Sequence, residues 1–516
     1  MPPTEYRVYG PPGTGKTTYI ADQIKVLADR FGSDQVSVCS LTNTAIKEAI
    51  GRDLPIDPEN ASTLHARCKR ALQATSPAES HVREFIQEFP QHSTEACLPA
   101  SLIRQGMDQE DRELILFGSR SPSLYEEIQI LRQQMIPEAS WRFDLRDWWK
   151  VWKYWMDSSG RMDFTGWLET AMRESVLPPQ QVLFVDEAQD HTPLQLAVIR
   201  SWKVRHRVLV GDDDQNLYEW SGAVPDRFFS PSLPESHEKV LSRSWRVPRS
   251  VFRFAQKWVR QISVRKDKTY HPKDKEGEVA IGGGIDLRSI KAGILPDLDR
   301  AGTHMFLASS AYMLADICQA LQDRDIPFHN PFRKSNSSWN PLQSASHVLS
   351  AYRSSSWSVE SALSWMKVLR SKDVYLPNTR ESALSQVEQS AKQVLTEADV
   401  LRFFIPEMQR KIKIRDLSIF NLRRANALGN WSFALKVIDK SPTKEISPKI
   451  IVGTIHSVKG GEADHVYLFP DLSPSGFADY LSGNRDRISR LMYVGMTRAA
   501  ETLVLADPSS RKSVVW

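Results

Sequence analysis

Apolar and polar positions along the chain follow two rhythms. Tyr6-Arg7-Val8-Tyr9 alternates with the two-residue period of a strand, and Thr18-Tyr19-Ile20-Ala21-Asp22-Gln23-Ile24 predicts a helix one loop later. Val182-Leu183-Phe184-Val185 and Val208-Leu209-Val210 are short unbroken apolar runs, as expected of strands buried on both faces of a parallel sheet. His304-Met305-Phe306-Leu307-Ala308 through Ile326-Pro327-Phe328 predicts strand, helix and strand. Two stretches differ in character. From about Thr75 to Gly160 the pattern is helical, and Trp148, Trp152 and Trp155 fall at i, i+4 and i+7 on one face. That spacing predicts a buried face rather than an exposed aromatic stripe. From about Ser335 to Ser447 a Ser/Asn-rich opening reads as a linker. Helical segments and the basic run Arg410-Lys411-Ile412-Lys413-Ile414-Arg415 follow it, and that run suits a solvated helix face as well as duplex DNA.

The loop after the first strand changes the picture from fold to chemistry. Gly10-Pro11-Pro12-Gly13-Thr14-Gly15-Lys16-Thr17 fits G-x-x-x-x-G-K-[ST] between a strand and a helix, the context that the pattern requires. Gly10, Gly13 and Gly15 let backbone N–H groups, Thr14 among them, converge on phosphate oxygens at a helix N-terminus. Lys16 is placed to reach the β- and γ-phosphates, and Thr17 to ligate Mg²⁺. The strand at Val182 ends in Asp186-Glu187-Ala188-Gln189-Asp190. There Asp186 can hold the metal and Glu187 can orient and deprotonate water. A plain acidic helix cap is the weaker alternative. After the strand at Val208 come Asp212, Asp213 and Asp214, whose mutual repulsion argues against a purely stabilising role, and Gln215, suited to sensing the γ-phosphate.

Composition narrows the class without defining it. At 516 residues the chain suggests several domains, and its net charge of +5 permits nucleic-acid binding without demanding it. Cys39, Cys68, Cys97 and Cys318 lie far apart, which suggests reduced thiols rather than disulfides or zinc. No apolar run approaches membrane-spanning length and the start lacks a secretion signal, so the expected location is cytoplasmic.

In order along the chain, the motifs resemble those of the UvrD/Rep/PcrA group of superfamily 1A helicases. Ser40-Leu41-Thr42-Asn43-Thr44-Ala45 resembles motif Ia, Ser62-Thr63-Leu64-His65-Ala66 motif Ib, and Met162 through Leu168 the DF-x-x-L element. Gly211 through Ala223 resembles motif III and Ser244-Trp245-Arg246 motif IV. Gly453 through Glu462 resembles motif V and Arg490 through Ala499 motif VI. The resemblance implies an α/β fold of two RecA-like P-loop domains, parallel sheets flanked by helices, each with a mainly helical insertion. Domain 1A would comprise residues 1–74 and 161–235, with insertion 1B at 75–160. Domain 2A would comprise 236–334 and 448–516, with a shortened insertion 2B at 335–447.

The same resemblance assigns roles. Arg246 and Arg498 would stabilise the transferring phosphoryl group, Glu462 would contact the ribose, and Trp245 would replace the tyrosine that stacks on adenine. Thr42, Asn43, Thr63, His65, Thr454 and His456 would hold a strand by its backbone, and Trp220 would stack on a base. The implied activity is ATP- and Mg²⁺-dependent 3′–5′ movement on single-stranded DNA and at single/double-strand junctions, with RNA also compatible. Repair or replication proteins would be its partners, and it would act as a monomer or weak oligomer. Alternatives are a translocase subunit that does not unwind, and a non-hydrolysing scaffold. The chain departs from the pattern in four places. The loop begins close to Met1, so an upstream Q motif is expected to be missing, Thr18 replaces an arginine near the base, Ser221 replaces the motif III arginine, and Gly461 replaces a leucine. Little room follows motif VI for a nuclease domain.

Overall fold

A computed structural model describes residues 4–41, 54–92, 123–174, 180–333, 339–354, 356–422, 431–440, 448–483 and 485–516. The strands form two six-stranded parallel sheets. The first contains β1 (Thr4–Tyr9), β2 (Val36–Ser40), β3 (Ala61–Thr63), β4 (Val182–Val185), β5 (His206–Gly211) and β6 (Glu238–Val240), in the order β3-β2-β4-β5-β1-β6. The second contains β7 (Glu278–Ile281), β8 (His304–Ala308), β9 (Phe328–His329), β10 (Ile450–Thr454), β11 (Ala463–Leu468) and β12 (Ala499–Leu505), in the order β7-β12-β11-β8-β10-β9. The strand–helix–strand pattern read from His304 to Phe328 is present as β8, the Ala315–Asp323 helix and β9.

The continuous apolar runs occupy interior strands, and every residue of β4 is buried. Two apolar layers sandwich the first sheet. Val8, Ile20, Ile24, Val38, Phe184 and Val210 belong to one, and Tyr9, Leu64, Leu183, Val185 and Leu209 to the other. Register then sets the chemistry. Tyr9 pairs with Gly211 and Val185 with Leu209, so β1, β4 and β5 end nearly abreast. The segments that begin at Gly10, Asp186 and Asp212 therefore leave one edge of the sheet, where parallel α/β folds place ligands.

The described chain divides into two compact units. One comprises Met1–Asp286, Leu307–Ala311 and Thr454–Trp516; the other comprises Leu287–Phe306 and Tyr312–Gly453. In the first, Trp148, Trp152 and Trp155 of the Phe143–Ser159 helix are at most 2% exposed, as their spacing predicts. Trp148 and Trp152 stack at 5.6 Å, and Phe85 meets Trp152 edge-on at 4.9 Å. The second unit has an aromatic core in which Trp365 packs against Tyr352, Trp357 and Phe404. The basic run lies at the end of its Pro406–Lys413 helix, where Lys411 pairs with Glu407 at 3.1 Å and Arg415 with Glu397 at 2.8 Å. Among the described residues, no helix is long and apolar enough to cross a membrane.

Candidate nucleotide site and the residues around it

Backbone geometry explains the glycines of the first loop. Gly13 and Gly15 have φ values of +71° and +81°, in the left-handed region that side chains disfavour. A Cβ on Gly13 would also lie 2.5 Å from the Arg246 Cβ and 2.7 Å from the Ser244 Oγ. At Gly10 a Cβ would meet the Lys16 stem at 2.1 Å. Gly10 N–H donates to Gly211 O at 2.8 Å, and the Thr14 hydroxyl donates to Pro11 O at 2.8 Å. Lys16 begins the Lys16–Phe31 helix, donates from Nζ to Gly10 O at 3.1 Å, and lies 3.9 Å from Glu187.

The Ser244-Trp245-Arg246 segment closes over this loop. Ser244 Oγ donates to Pro12 O, and Trp245 N–H donates to Gly13 O, both at 2.8 Å. Trp245 is 67% exposed, with the Arg243 guanidinium 4.9 Å from its ring centre, an open platform beside the loop. Arg246 Nε donates to Glu462 at 2.5 Å. Arg498 is buried and donates to Gly461 O at 3.1 Å and to Gln215 Oε1 at 3.2 Å. Burial and the like charge of Arg246 push the Arg498 guanidinium down to about 9, against the opposing pull of Glu187 and Glu462. A polyphosphate would relieve that repulsion, so it is the kind of ligand this pair favours.

Glu187 is held at φ 49°, ψ 42°, a left-handed conformation costing a non-glycine residue about 1–3 kcal/mol. Burial works against its charge, but Lys16, Lys459, the Gln189 amide and Arg498 outweigh it and hold the carboxyl down to about 2. Gln189 links two strand ends, donating to Glu187 at 2.6 Å and accepting from Asp212 N–H at 2.9 Å. Asp186 is buried and accepts from Glu187 N–H at 2.8 Å. Among the described residues, no group of three or more His, Cys, Asp or Glu could hold a metal. Thr17 and Asp186 carry a hydroxyl and a carboxylate, oxygen donors of the kind that Mg²⁺ takes when it is shared with phosphates.

Two features lay beyond the sequence reading. Lys459 lies inside the motif V stretch, yet its chemistry appears only in the fold. It pairs with Asp190 and lies 3.5 Å from Glu187, with its ammonium 5.3 Å from the Tyr218 ring centre. Burial raises the Asp190 carboxyl to about 6, and Lys459 opposes that shift. The second feature is a correction. Asp212, Asp213 and Asp214 are all buried, and Lys268 Nζ reaches them at 2.7, 2.5 and 2.9 Å. Arg265 adds a two-pronged contact to Asp214 at 2.8 and 2.7 Å. The three acids are therefore a structural cluster whose repulsion two cations from elsewhere in the sequence largely offset.

The expected nucleic-acid residues follow strand ends or neighbouring turns. Thr63 ends β3 and accepts from Ala66 N–H at 3.3 Å, while His65 meets Phe164 edge-on at 6.2 Å. Thr454 ends β10, accepts from Ser457 N–H at 3.1 Å and is buried, as is His456. Trp220 sits in the Glu219–Ser221 turn, half-buried. Thr42 and Asn43 lie outside the described residues.

Comparison with known proteins agrees with this geometry. Residues 2–221 match the AAA domain family, and residues 449–506 match the UvrD-like helicase C-terminal domain. The chain is 22% identical over 286 residues to the ATP-dependent DNA helicase PcrA of Staphylococcus epidermidis, covering 50% of this chain and 38% of that protein. To the PcrA of Staphylococcus aureus it is 22% identical over 287 residues, covering 52% and 39%. The match thus spans under two fifths of each relative's length.

Proposed function

Because the chain belongs to the UvrD-like helicase family, we propose that it is an ATP-driven motor that moves 3′ to 5′ on single-stranded DNA and opens duplex ahead of it. The observation that carries this reading is the meeting of groups from distant motifs. Lys16 approaches Glu187, Arg498 reaches Gln215, and the Arg246 segment is pinned to the phosphate loop. In this reading the loop glycines, Thr14, Lys16 and Thr17 cradle the triphosphate. Thr17 and Asp186 hold Mg²⁺, which neutralises phosphate charge when bound. Glu187 orients the attacking water and takes its proton. Gln215 senses the γ-phosphate, and Arg246 and Arg498 stabilise the charge that develops on it. Trp245 stacks on the base, and Glu462 turns from Arg246 to the ribose.

The track would comprise Thr42, Asn43, Thr63, His65, Trp220, Thr454 and His456, gripping backbone and bases without reading sequence. The proposed domains are 1A (1–74, 161–235), 1B (75–160), 2A (236–334, 448–516) and a short 2B (335–447). ATPase assays with single-stranded DNA, RNA or neither test the motor, and strand displacement on 3′- and 5′-tailed duplexes tests polarity. DNA is expected to raise the rate, and Arg498→Ala to lower kcat by roughly 10³-fold. Unwinding only from a 5′ tail would reverse the polarity, and a background rate that neither DNA nor Lys16→Ala changes would leave a scaffold.

A second reading, a translocase that does not unwind, is favoured by one contact. Ser221 replaces the family's motif III arginine, and its hydroxyl donates to its own turn at Tyr218 O, 2.8 Å away. Movement along single strands without displacement of either tailed duplex would select it.

A further inference from the structure

Two side-chain clamps join the segment Asp212–Gly222 to the end of the chain. One is the Arg498–Gln215 contact at 3.2 Å. The other is Arg490, which is 2% exposed and satisfied by three groups on two stretches of chain. Its Nε donates to Asp213 O at 3.1 Å, its Nη1 to the Glu219 carboxylate at 2.8 Å, and its Nη2 to Val264 O at 2.5 Å. Arg490 belongs to the Arg485–Met496 helix, and Arg498 follows two residues beyond the end of that helix. Glu219 immediately precedes Trp220 in a tight turn that closes on Gly222 at φ +97°. A Cβ on that glycine would press on the Gln133 Cβ at 3.3 Å and on Ile130 O at 3.4 Å, so the turn has little freedom to slip.

We propose that Glu219 and Arg490 are a positioning pair that transmits the seating of a base on Trp220 to the Gln215–Arg498 contact. The proposal rests on the motor reading above. Neither residue is assigned above to the nucleotide or to the track. Glu219 holds one end of the turn that carries Trp220, and Arg490 anchors that end to the helix leading to Arg498. A load on Trp220 therefore reaches the helix through a charge-assisted bond between a buried guanidinium and a half-buried carboxylate, a directional contact. Ser221 cannot serve this purpose, because its hydroxyl is committed to Tyr218 O in the same turn.

The test compares Glu219→Ala, Glu219→Gln and Arg490→Lys with the wild-type chain. It measures ATPase rate with and without single-stranded DNA, DNA affinity by fluorescence anisotropy, and melting temperature as a check on folding. Glu219→Ala is expected to leave basal hydrolysis and DNA affinity within about 2-fold and to reduce the DNA-stimulated increment about 10-fold. Glu219→Gln, which keeps a hydrogen bond but not the charge, and Arg490→Lys, which keeps the charge but not the fork, should retain intermediate stimulation. Full stimulation in both Glu219 variants overturns the proposal. So does a parallel fall of basal and stimulated rates, the sign of a merely structural role. If Glu219→Ala does not fold, Glu219→Gln decides by the same criteria. A wild-type ATPase unmoved by DNA defeats the motor reading itself, and that result is visible before any variant is made.

Discussion

At the scale of single residues, the Glu187 carboxylate illustrates how charge placement sets ionisation. Lys16 and Lys459 lie 3.9 and 3.5 Å from its two oxygens, and their fields keep it ionised despite burial. Removing one cation without adding bulk should let the carboxyl rise. Lys459→Met is therefore expected to shift the acid limb of the kcat–pH profile to higher pH, because Glu187 then protonates sooner as pH falls. A pH–rate profile of the variant checks this, and an unchanged limb would mean that another group sets it. The acidic pair at the end of a buried strand marks Glu187 in the sequence as a candidate. Lys459 is not marked in this way, since a lysine in a glycine-rich loop carries no period or spacing that names its partner.

At the scale of elements, periodicity succeeded where burial is continuous. The tryptophan face of the Phe143–Ser159 helix and the apolar strands β4 and β5 are where the pattern places them. What periodicity missed is the polar joint beneath that helical region. Asp163 caps the Phe164–Arg173 helix, accepting from Gly166 N–H at 2.6 Å, and Arg132 grips it from the side. Glu79 lies beside this pair and accepts from the Tyr125 hydroxyl at 2.6 Å and from Phe164 N–H at 3.1 Å. Burial and the Asp163 charge raise its carboxyl from 4.5 to about 7. A raised carboxyl contributes stability that is full below pH 4.5 and is lost as pH climbs through 7. Glu79→Gln keeps an acceptor and cannot ionise. It should stabilise the protein at pH 8 by roughly 1–3 kcal/mol and flatten that window, as thermal melts across pH would show.

At the scale of the whole molecule, the acid cluster shows why sequence order hides partners. Asp212, Asp213 and Asp214 were visible as a run, whereas Arg265 and Lys268 belong to a later, unremarkable basic stretch. Only the fold brings them together, and Lys268 is as buried as the acids it holds. Lys268→Met would leave carboxylates buried with one cation fewer, and the expected loss is about 3–5 kcal/mol of unfolding free energy. Chemical denaturation of the full chain measures this, and a loss under about 1 kcal/mol would show that Arg265 alone suffices.

The phosphate loop has a comparable dependence on order. The carbonyls of Pro12 and Gly13 are taken by Ser244 and Trp245, more than two hundred residues downstream. A ribosome delivers the loop more than two hundred residues before its two clasps. Until those clasps emerge, a nascent chain carries the fingerprint of a nucleotide site without the contacts that fix its shape. The contacts that fix the loop's shape thus become available only once synthesis has passed Trp245.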